Sequence, residues 1–490
     1  MSRYITGRLI RSVFSIFAVV VIALTLVYTQ VKREFVFIQD PTYQKLKDAD
    51  SKTRYVNGVY QRLGYLDFKE QSDICKGKDA ACMIAHSTES KAAFEELKNK
   101  GYSVGNYSDG LYYATKDYSV LELVQNWFGR LIDIDHPWRV SDDQNSSLAR
   151  KLYIENDYNG LPAIKGSGTE NKYLLFFDGK FPFVHQNFVR LNFGVSYPTF
   201  GGIDVGTVLT QTQGAAKTQP IVYETGKKGT SAIQLHTCKY KYESTMDELD
   251  RGRFKDNYAN CSNLQKDPSM INTSMMMGLL ALLLTYLIGI PAGMSMASHK
   301  DKWQDKIGTV YINIMSAVPS LAFIYFMQYL GTLAGLPDKF PTLGAHNIRS
   351  YILPVLILGL LSTGGIMMWM RRFMLDQASS DYVKFARAKG LSQKEIFRKH
   401  ILRNASIPLV NGFPAAVILT ISGAVITETV FAIPGMGKML PDAIKAYNNP
   451  MVIAITFIFT TLSIISLLLG DLLVTVVDPR IQLSSKGESR

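Results

Sequence analysis

The sequence predicts an all-α polytopic membrane domain of six transmembrane helices, with a mixed α/β extracellular domain inserted between helices 1 and 2. Three observations predict it. The first is where the apolar residues fall. Of the 490 residues 47% are hydrophobic and 19% charged, yet long apolar runs stand only at the N-terminus and in the last 220 or so positions. Between them lies a polar, aromatic-rich stretch of ordinary soluble composition. The second is the placement of the +12 net charge. Residues 30–270 hold 31 Lys+Arg against 30 Asp+Glu, which leaves 22 basic and 11 acidic residues elsewhere. An excess confined to the apolar part and its flanks is the positive-inside pattern and argues against a nucleic-acid surface. The third is loop asymmetry. Residues 371–404 carry nine Lys+Arg against three acids, and Ser298–Lys306 carries Lys300, Lys302 and Lys306, whereas Ala334–Ser350 carries only Lys339 and Arg349. Basic loops stay in the cytoplasm, so both termini are expected inside and residues 30–270 outside.

Taken in order, residues 1–29 read as a transmembrane helix. Arg3, Arg8 and Arg11 precede an apolar run from about Ser12 to Tyr28, long enough to span once Leu9 and Ile10 are included. A secretory signal would end in a small-x-small cleavage site, and Thr29-Gln30-Val31-Lys32 follows instead. Residues 30–270 are long enough for a core of their own. Within them Ser87–Lys100 and Asp117–Leu131 have helical amphipathicity, while Tyr173–Phe177, Phe183–Phe193 and Ile221–Glu224 are rich in aromatic and β-branched residues and read as strands. All four cysteines lie here. Cys75 with Cys82, and Cys238 with Cys261, would form two disulfides if the domain faces outward; the alternative is four free thiols, and the spacing matches no zinc pattern.

Residues 271–480 form the membrane core, followed by a cytoplasmic tail at 481–490. Its spans are expected near Ile271–Ala297, Ile307–Leu333, Tyr351–Met370, Ala405–Val430 and Met451–Val477. Each supplies about 20 mostly apolar residues, enough for a ~30 Å hydrocarbon core. Pro291, Pro319, Pro354, Pro408 and Pro414 lie in or near them, tolerated where neighbouring helices satisfy the freed carbonyls.

No catalytic constellation emerges. G-x-x-x-x-G-K-[ST] is absent; the nearest approach, Gly437-Lys438, has alanine at 432 and methionine at 439. H-E-x-x-H and G-x-S-x-G are missing, and the seven histidines are scattered without metal-ligand spacing. An enzyme is not expected, and neither is a cofactor or metal. Two intramembrane acids are functional candidates by position: Glu428 near an outer rim, where it could touch a delivery protein or cargo, and Asp471 near the inner end of the last span, where it either hydrogen-bonds another helix or approaches water. Met275–Met277, Met367, Met368 and Met370 suit an adaptable path, though helix packing explains them more simply.

The most informative stretch is 381–404. A first helix, roughly Gln377–Lys389, ends at Gly390, suited to the left-handed position after a helix. A second begins at Ser392 as N-cap with Glu395 completing a capping box, and Leu391 and Ile396 fall at the positions of a hydrophobic staple. So much definition specifies a rigid cytosolic elbow.

These residues resemble a family. Asp381-Tyr382-Val383-Lys384-Phe385-Ala386-Arg387-Ala388-Lys389-Gly390-Leu391-Ser392, with Arg398–Pro408 after it, is similar to the cytoplasmic loop of binding-protein-dependent ABC importer permeases of the dipeptide, oligopeptide and nickel branch. The general motif begins Glu-Ala-Ala where Lys384-Phe385-Ala386 stand here, a departure typical of the peptide branch. Gly423–Gly437, Asp478-Pro479-Arg480 and the start at Arg3-Tyr4 and Arg8-Leu9-Ile10 agree with it. The resemblance covers about 1–30 and 271–482, and the large outer insert resembles that of the B-type oligopeptide permease subunit of streptococci and their relatives.

The resemblance implies a second homologous permease subunit completing the pore and two cytosolic ABC ATPases beneath, which bind the ATP. It also implies an extracellular lipid-anchored peptide-binding protein that delivers the peptide substrate. Ala386, Arg387, Ala388, Gly390 and Leu391 would dock into the ATPase groove, while Arg387, Lys389, Arg398 and Lys399 could instead face lipid headgroups. Nickel, glutathione or dipeptide cargo stays open, as does a membrane peptide receptor, although a 34-residue loop and a tail of about 13 residues leave little room for an effector.

Overall fold

Helices dominate because apolar backbone in a bilayer must satisfy its own hydrogen bonds. The computed structural model describes residues 2–76, 80–134, 189–210, 268–345 and 347–477, with shorter pieces, mostly strands, between 152 and 186 and between 218 and 259. Five helices among the described residues are long and apolar enough to cross a membrane: Thr6–Gln30, Met270–Ser298, Arg349–Ala378, Ile407–Val430 and Asn449–Val477. A bent pair makes up to six. This is a helical membrane-type fold.

The bent pair corrects one expectation. In place of a single span over Ile307–Leu333, Trp303–Ala317 and Ser320–Leu333 meet at 108°. Pro319 has no N–H and disfavours helix at the residue before it; Val318 accordingly sits at φ −71°, ψ 127°. Each half is only about 22 Å long at 1.5 Å per residue, short of the ~30 Å core. The expected span Ala405–Val430 stands as Ile407–Val430 but is interrupted by a turn. Its helix Ile407–Leu419 ends in the 3-10 turn Thr420–Ser422, and Gly423, at φ +71°, precedes a short helix Val425–Val430.

Small residues let the long helices approach. A Cβ on Gly293 would lie 2.8 Å from the carbonyl oxygen of Met367, so Met270–Ser298 and Arg349–Ala378 pack nearly backbone to backbone. Thr285 Oγ1 crosses the same seam to Gly359 O at 3.1 Å. Met277, Met367 and Met370 are buried within this packing, while Met276 and Met368 remain exposed.

Residues 30–270 contribute both helices and strands. Ser87 caps Thr88–Asn99, and a complete capping box at Ser119 and Glu122 starts Val120–Leu131. Leu66–Glu70 and Ser103–Asn106 pair antiparallel on either side of Tyr112–Asp117. A four-stranded antiparallel meander runs Leu152–Asn156, Pro162–Gly166, Tyr173–Phe177 and Val184–Gln186. The stretch expected as one strand over Phe183–Phe193 is thus split, and its second part, Val189–Leu191, pairs instead with Ile132–Ile134. The strand expected at Ile221–Glu224 runs Thr218–Val222. Cys75 and Cys82 form a disulfide with Cα atoms 5.6 Å apart; Cys238 and Cys261 lie outside the described residues.

This segment shares its core with the membrane helices. Trp127, Phe193, Val205 and Val208 pack with Val20 and Leu24 of the first helix and Met451 and Ile455 of the last. A second cluster joins Phe37, Val59, Leu63, Tyr65 and Tyr197. At its edge Asp40 is buried and accepts from the Tyr197 hydroxyl and, at 2.9 Å, from Thr42 N. Burial alone would raise the Asp40 pKa, but bonds from Tyr197, Tyr55, Thr42 and Tyr43 outweigh it and hold the carboxyl below its ordinary range. The ionised form therefore stabilises the fold above the unfolded value of ~3.9, and that contribution is lost as pH falls through the lowered folded value. Asp40→Asn should flatten the acid limb of a thermal-melt series between pH 6 and pH 3. An unchanged acid limb would rule this role out.

Candidate functional site: a helical elbow between two spans

The elbow at 381–404 is built from caps. The spanning helix runs through Ala378, so Gln377 and Ala378 belong to it and not to the elbow as expected. Ser380, extended at φ −71° and ψ 153°, starts the helix Asp381–Ala388. Gly390 at φ +77° closes it: Gly390 N donates to Arg387 O at 2.9 Å and Leu391 N to Ala386 O at 3.3 Å, the paired bonds of a Schellman turn. Ser392 Oγ then accepts from Glu395 N at 3.3 Å.

The capping box is only half formed. Glu395 does not reach back to the cap; its carboxylate accepts from Lys399 Nζ at 2.7 Å, and that bond lowers the Glu395 pKa. Leu391 packs against the apolar cluster that contains Ile396, as a staple requires. The second helix is not a continuous α-helix either. One turn, Gln393–Glu395, passes into a π-helical stretch, Ile396–Ile401, and then into Leu402–Ala405. The buried side chains explain the widened turn. Ile396 and Ile401 are five apart and share one face only if the helix turns more slowly than 3.6 residues.

The inner face of the elbow is committed to the membrane core. Val383, Ala386, Ile396 and Ile401 pack against Met370 and Met374 of the preceding span and Leu409 of the following one. Ala386, expected to dock a partner, is therefore buried at 6% exposure and unavailable; Arg387, Ala388 and Gly390 are exposed and Leu391 half-buried. The outward face includes Lys384, Phe385, Arg387, Ala388 and Lys389. Phe385 is 70% exposed, an aromatic ring standing free beside an alanine. Sequence reasoning quoted Phe385 but assigned it no role; its spacing from Val383 and Ala386, which fixes the inward face, held the signal. Asp305 was also missed. It receives Arg371 Nε at 2.6 Å and Nη2 at 2.8 Å, bracing the helix Trp303–Ala317 against the root of the elbow.

The two intramembrane acids are both held within the chain. Glu428 is not presented at a rim. It is fully buried, accepting from Ser274 Oγ at 2.7 Å, Lys438 N at 2.9 Å and Ala424 N at 3.2 Å, while Ser274 Oγ accepts from Met436 N at 2.8 Å. The carboxylate thus knots the turn 423–438 to the helix Met270–Ser298. Asp471 pairs with Arg8, joining the last helix to the first. Among the described residues no group of three or more His, Cys, Asp or Glu is placed to hold a metal ion.

Against known proteins, residues 289–483 match the family described as binding-protein-dependent transport system inner membrane component. The oligopeptide transport system permease protein AmiC of Streptococcus pneumoniae serotype 4 is 44% identical over 497 aligned positions, 99% of this chain and 100% of that protein. That match takes in residues 30–270. The dipeptide transport system permease protein DppB of Lactococcus lactis subsp. cremoris is 35% identical over 213 positions, 43% of this chain and 69% of that protein. Among solved structures, a chain of the inward-facing MetNI methionine ABC transporter is 17% identical, covering 42% of this chain and 94% of its own length, with a TM-score of 0.36.

Proposed function

Because the chain belongs to the binding-protein-dependent transport inner-membrane components, in their oligopeptide permease branch, we propose that it forms half of the pore of an ATP-driven oligopeptide importer and takes up force through the elbow at 381–404. It is a transport permease and not an enzyme. A second homologous permease completes the pore, two cytosolic ATPases bind the ATP, and a substrate-binding protein, lipid-anchored on the outer face, delivers peptide. Both termini lie in the cytoplasm and residues 30–270 outside. The loop charges support this orientation, and so does the Cys75–Cys82 disulfide, which suits an oxidising compartment.

The elbow carries the reading. Its inner face is fused to two spans, and its outer face offers Phe385, Ala388 and Arg387 to a partner. Phe385 takes the apolar socket in the ATPase, with Lys384, Arg387 and Lys389 ringing it. ATP binding favours one of two arrangements of the pore, and the elbow transmits that preference.

Uptake of a labelled oligopeptide tests it, in cells carrying the wild-type chain, a deletion, or Gly390→Trp. A Cβ at Gly390 meets nothing within 4 Å, so the variant acts on the turn and not on packing. Forcing a bulky residue to φ +77° costs ~1–2 kcal/mol and misaligns the two halves of the elbow. Uptake should fail in both mutants while a membrane-fraction blot still finds the substituted protein. Normal uptake in the deletion strain, with no second importer present, would remove the peptide assignment, and competition with nickel, glutathione and dipeptide would then identify the cargo.

A further inference from the structure

We propose that Asn448 is a positioning residue through which residues 30–270 act on the pore: its amide grips that segment with one end and caps the last spanning helix with the other. The inference rests on the importer reading above, in which a delivery protein docks outside.

Asn448 is completely buried at the joint between the helices Met436–Lys445 and Asn449–Val477. Its Nδ2 donates to Ser196 Oγ at 2.8 Å, Thr199 Oγ1 at 2.8 Å and Thr199 O at 3.3 Å. Its Oδ1 accepts from Met451 N at 3.3 Å, the N3 amide of the last helix. The amide can lie only one way round, because Thr199 O can only accept and Met451 N can only donate. Asn449, next along, donates to the buried Tyr65 hydroxyl at 2.5 Å. The chain enters the joint through Tyr447 at φ +56°, a conformation an aromatic residue holds only when its surroundings enforce it.

The joint has room to move and something to move. Thr199 and Phe200 do not pack flush on the helix Met436–Lys445; an open pocket of about 140 Å³ lies between them and Pro434, Lys438, Met439 and Asp442. At its far end the last helix bears on the one that leaves the elbow: a Cβ on Gly470 would lie 2.6 Å from Asn411 O. A displacement of residues 196–200 into the pocket would therefore draw the Asn448 cap, the last helix and the helix Ile407–Leu419 together. These contacts give the outer segment a continuous route to the elbow.

Asn448→Asp separates the two ends of the amide. The carboxylate still accepts from Met451 N, but it sets an acceptor against Thr199 O, and it can hold the two hydroxyls only by turning them into donors, which takes the Ser196 hydroxyl away from Thr199 O. The complete transporter in proteoliposomes, with delivery protein and labelled peptide, reports the result. Basal ATPase activity and the Kd of the delivery protein should stay within about twofold, while stimulation of ATPase by the loaded delivery protein falls by about tenfold or more, within the range of site-to-site coupling. Ser196→Ala/Thr199→Val, made from the other side of the contact, should do the same. If Asn448→Asp does not reach the membrane, the Ser196/Thr199 variant carries the test. Full stimulation in a folded variant overturns the proposal, and so does loss of delivery-protein affinity in step with stimulation, which would make the contact part of a docking surface. Absence of stimulation in the wild-type complex would instead overturn the importer reading.

Discussion

Phe385→Asp should leave the protein folded in the membrane and abolish peptide uptake. The ring is 70% exposed, so its removal costs the isolated chain little; surface substitutions of this kind stay within about 0.5 kcal/mol. Its worth lies in the complex. Burying a phenylalanine side chain against a partner contributes ~1.5–3 kcal/mol. Placing an unpaired carboxylate in the same apolar socket adds a desolvation penalty of similar size or more. A combined loss of ~3 kcal/mol or more corresponds to at least about a hundredfold weaker association. Co-purification of the ATPases with the tagged permease measures it directly. Loss of the ATPases with normal insertion is the expected result, and Phe385→Leu should retain most of the association. Were Phe385→Asp to keep its ATPases and its uptake, the outward face of Asp381–Ala388 would not be the coupling surface. The basic residues around it would then fall to lipid headgroups.

Much of this elbow could be read from the chain because its signals are local. A glycine at a C′ position and a serine at an N-cap act through backbone groups within a few residues, and Gly390, Ser392, Ser87 and Ser119 all stand where their types demand. Apolar length is equally local, so Met270–Ser298, Ile407–Val430 and Asn449–Val477 lie within two residues of their expected bounds, while Arg349–Ala378 runs on past the expected end at Met370 through charged and polar residues. What escaped depends on partners distant in sequence. Ala386 reads as a small docking residue until Met370 and Met374 cover it. Glu428 reads as a rim acid until Ser274, 154 residues earlier, closes on it. The break at Pro319 was visible as a proline, but a proline within a span either kinks it or divides it, and only tertiary context decides which. The π-helical turn follows from a five-residue spacing of buried isoleucines that is ambiguous until the buried face is known. The grip of Asn448 on Ser196 and Thr199 joins two regions that composition alone treats as separate.

Glu428→Leu should be the most destabilising single change in the membrane core. The carboxylate accepts from one hydroxyl and two backbone N–H groups, all shielded from water, and leucine can satisfy none of them. A buried donor left unsatisfied costs ~1–3 kcal/mol, so three together approach the whole stability of an ordinary domain. The neighbouring backbone cannot close over the loss. Gly423 and Gly435 stand against the carboxylate, and Gly437 packs on the backbone of Gly423, with a Cβ there only 3.0 Å from its carbonyl carbon. Glu428→Gln should be milder, because the amide oxygen still accepts while its NH2 must face at least one donor. The detergent-solubilised protein should therefore melt in the order wild type, Gln, Leu, with the Leu variant lower by about 10 °C if ~4 kcal/mol is lost. Uptake should fall in step with the amount of folded protein. A Leu variant that melts like wild type but no longer imports peptide would return Glu428 to the translocation path. One that melts and imports normally would leave the knot between 423–438 and the helix Met270–Ser298 without a structural role. The expected result is instead a protein whose turn 423–438 depends on one buried acid for its fold.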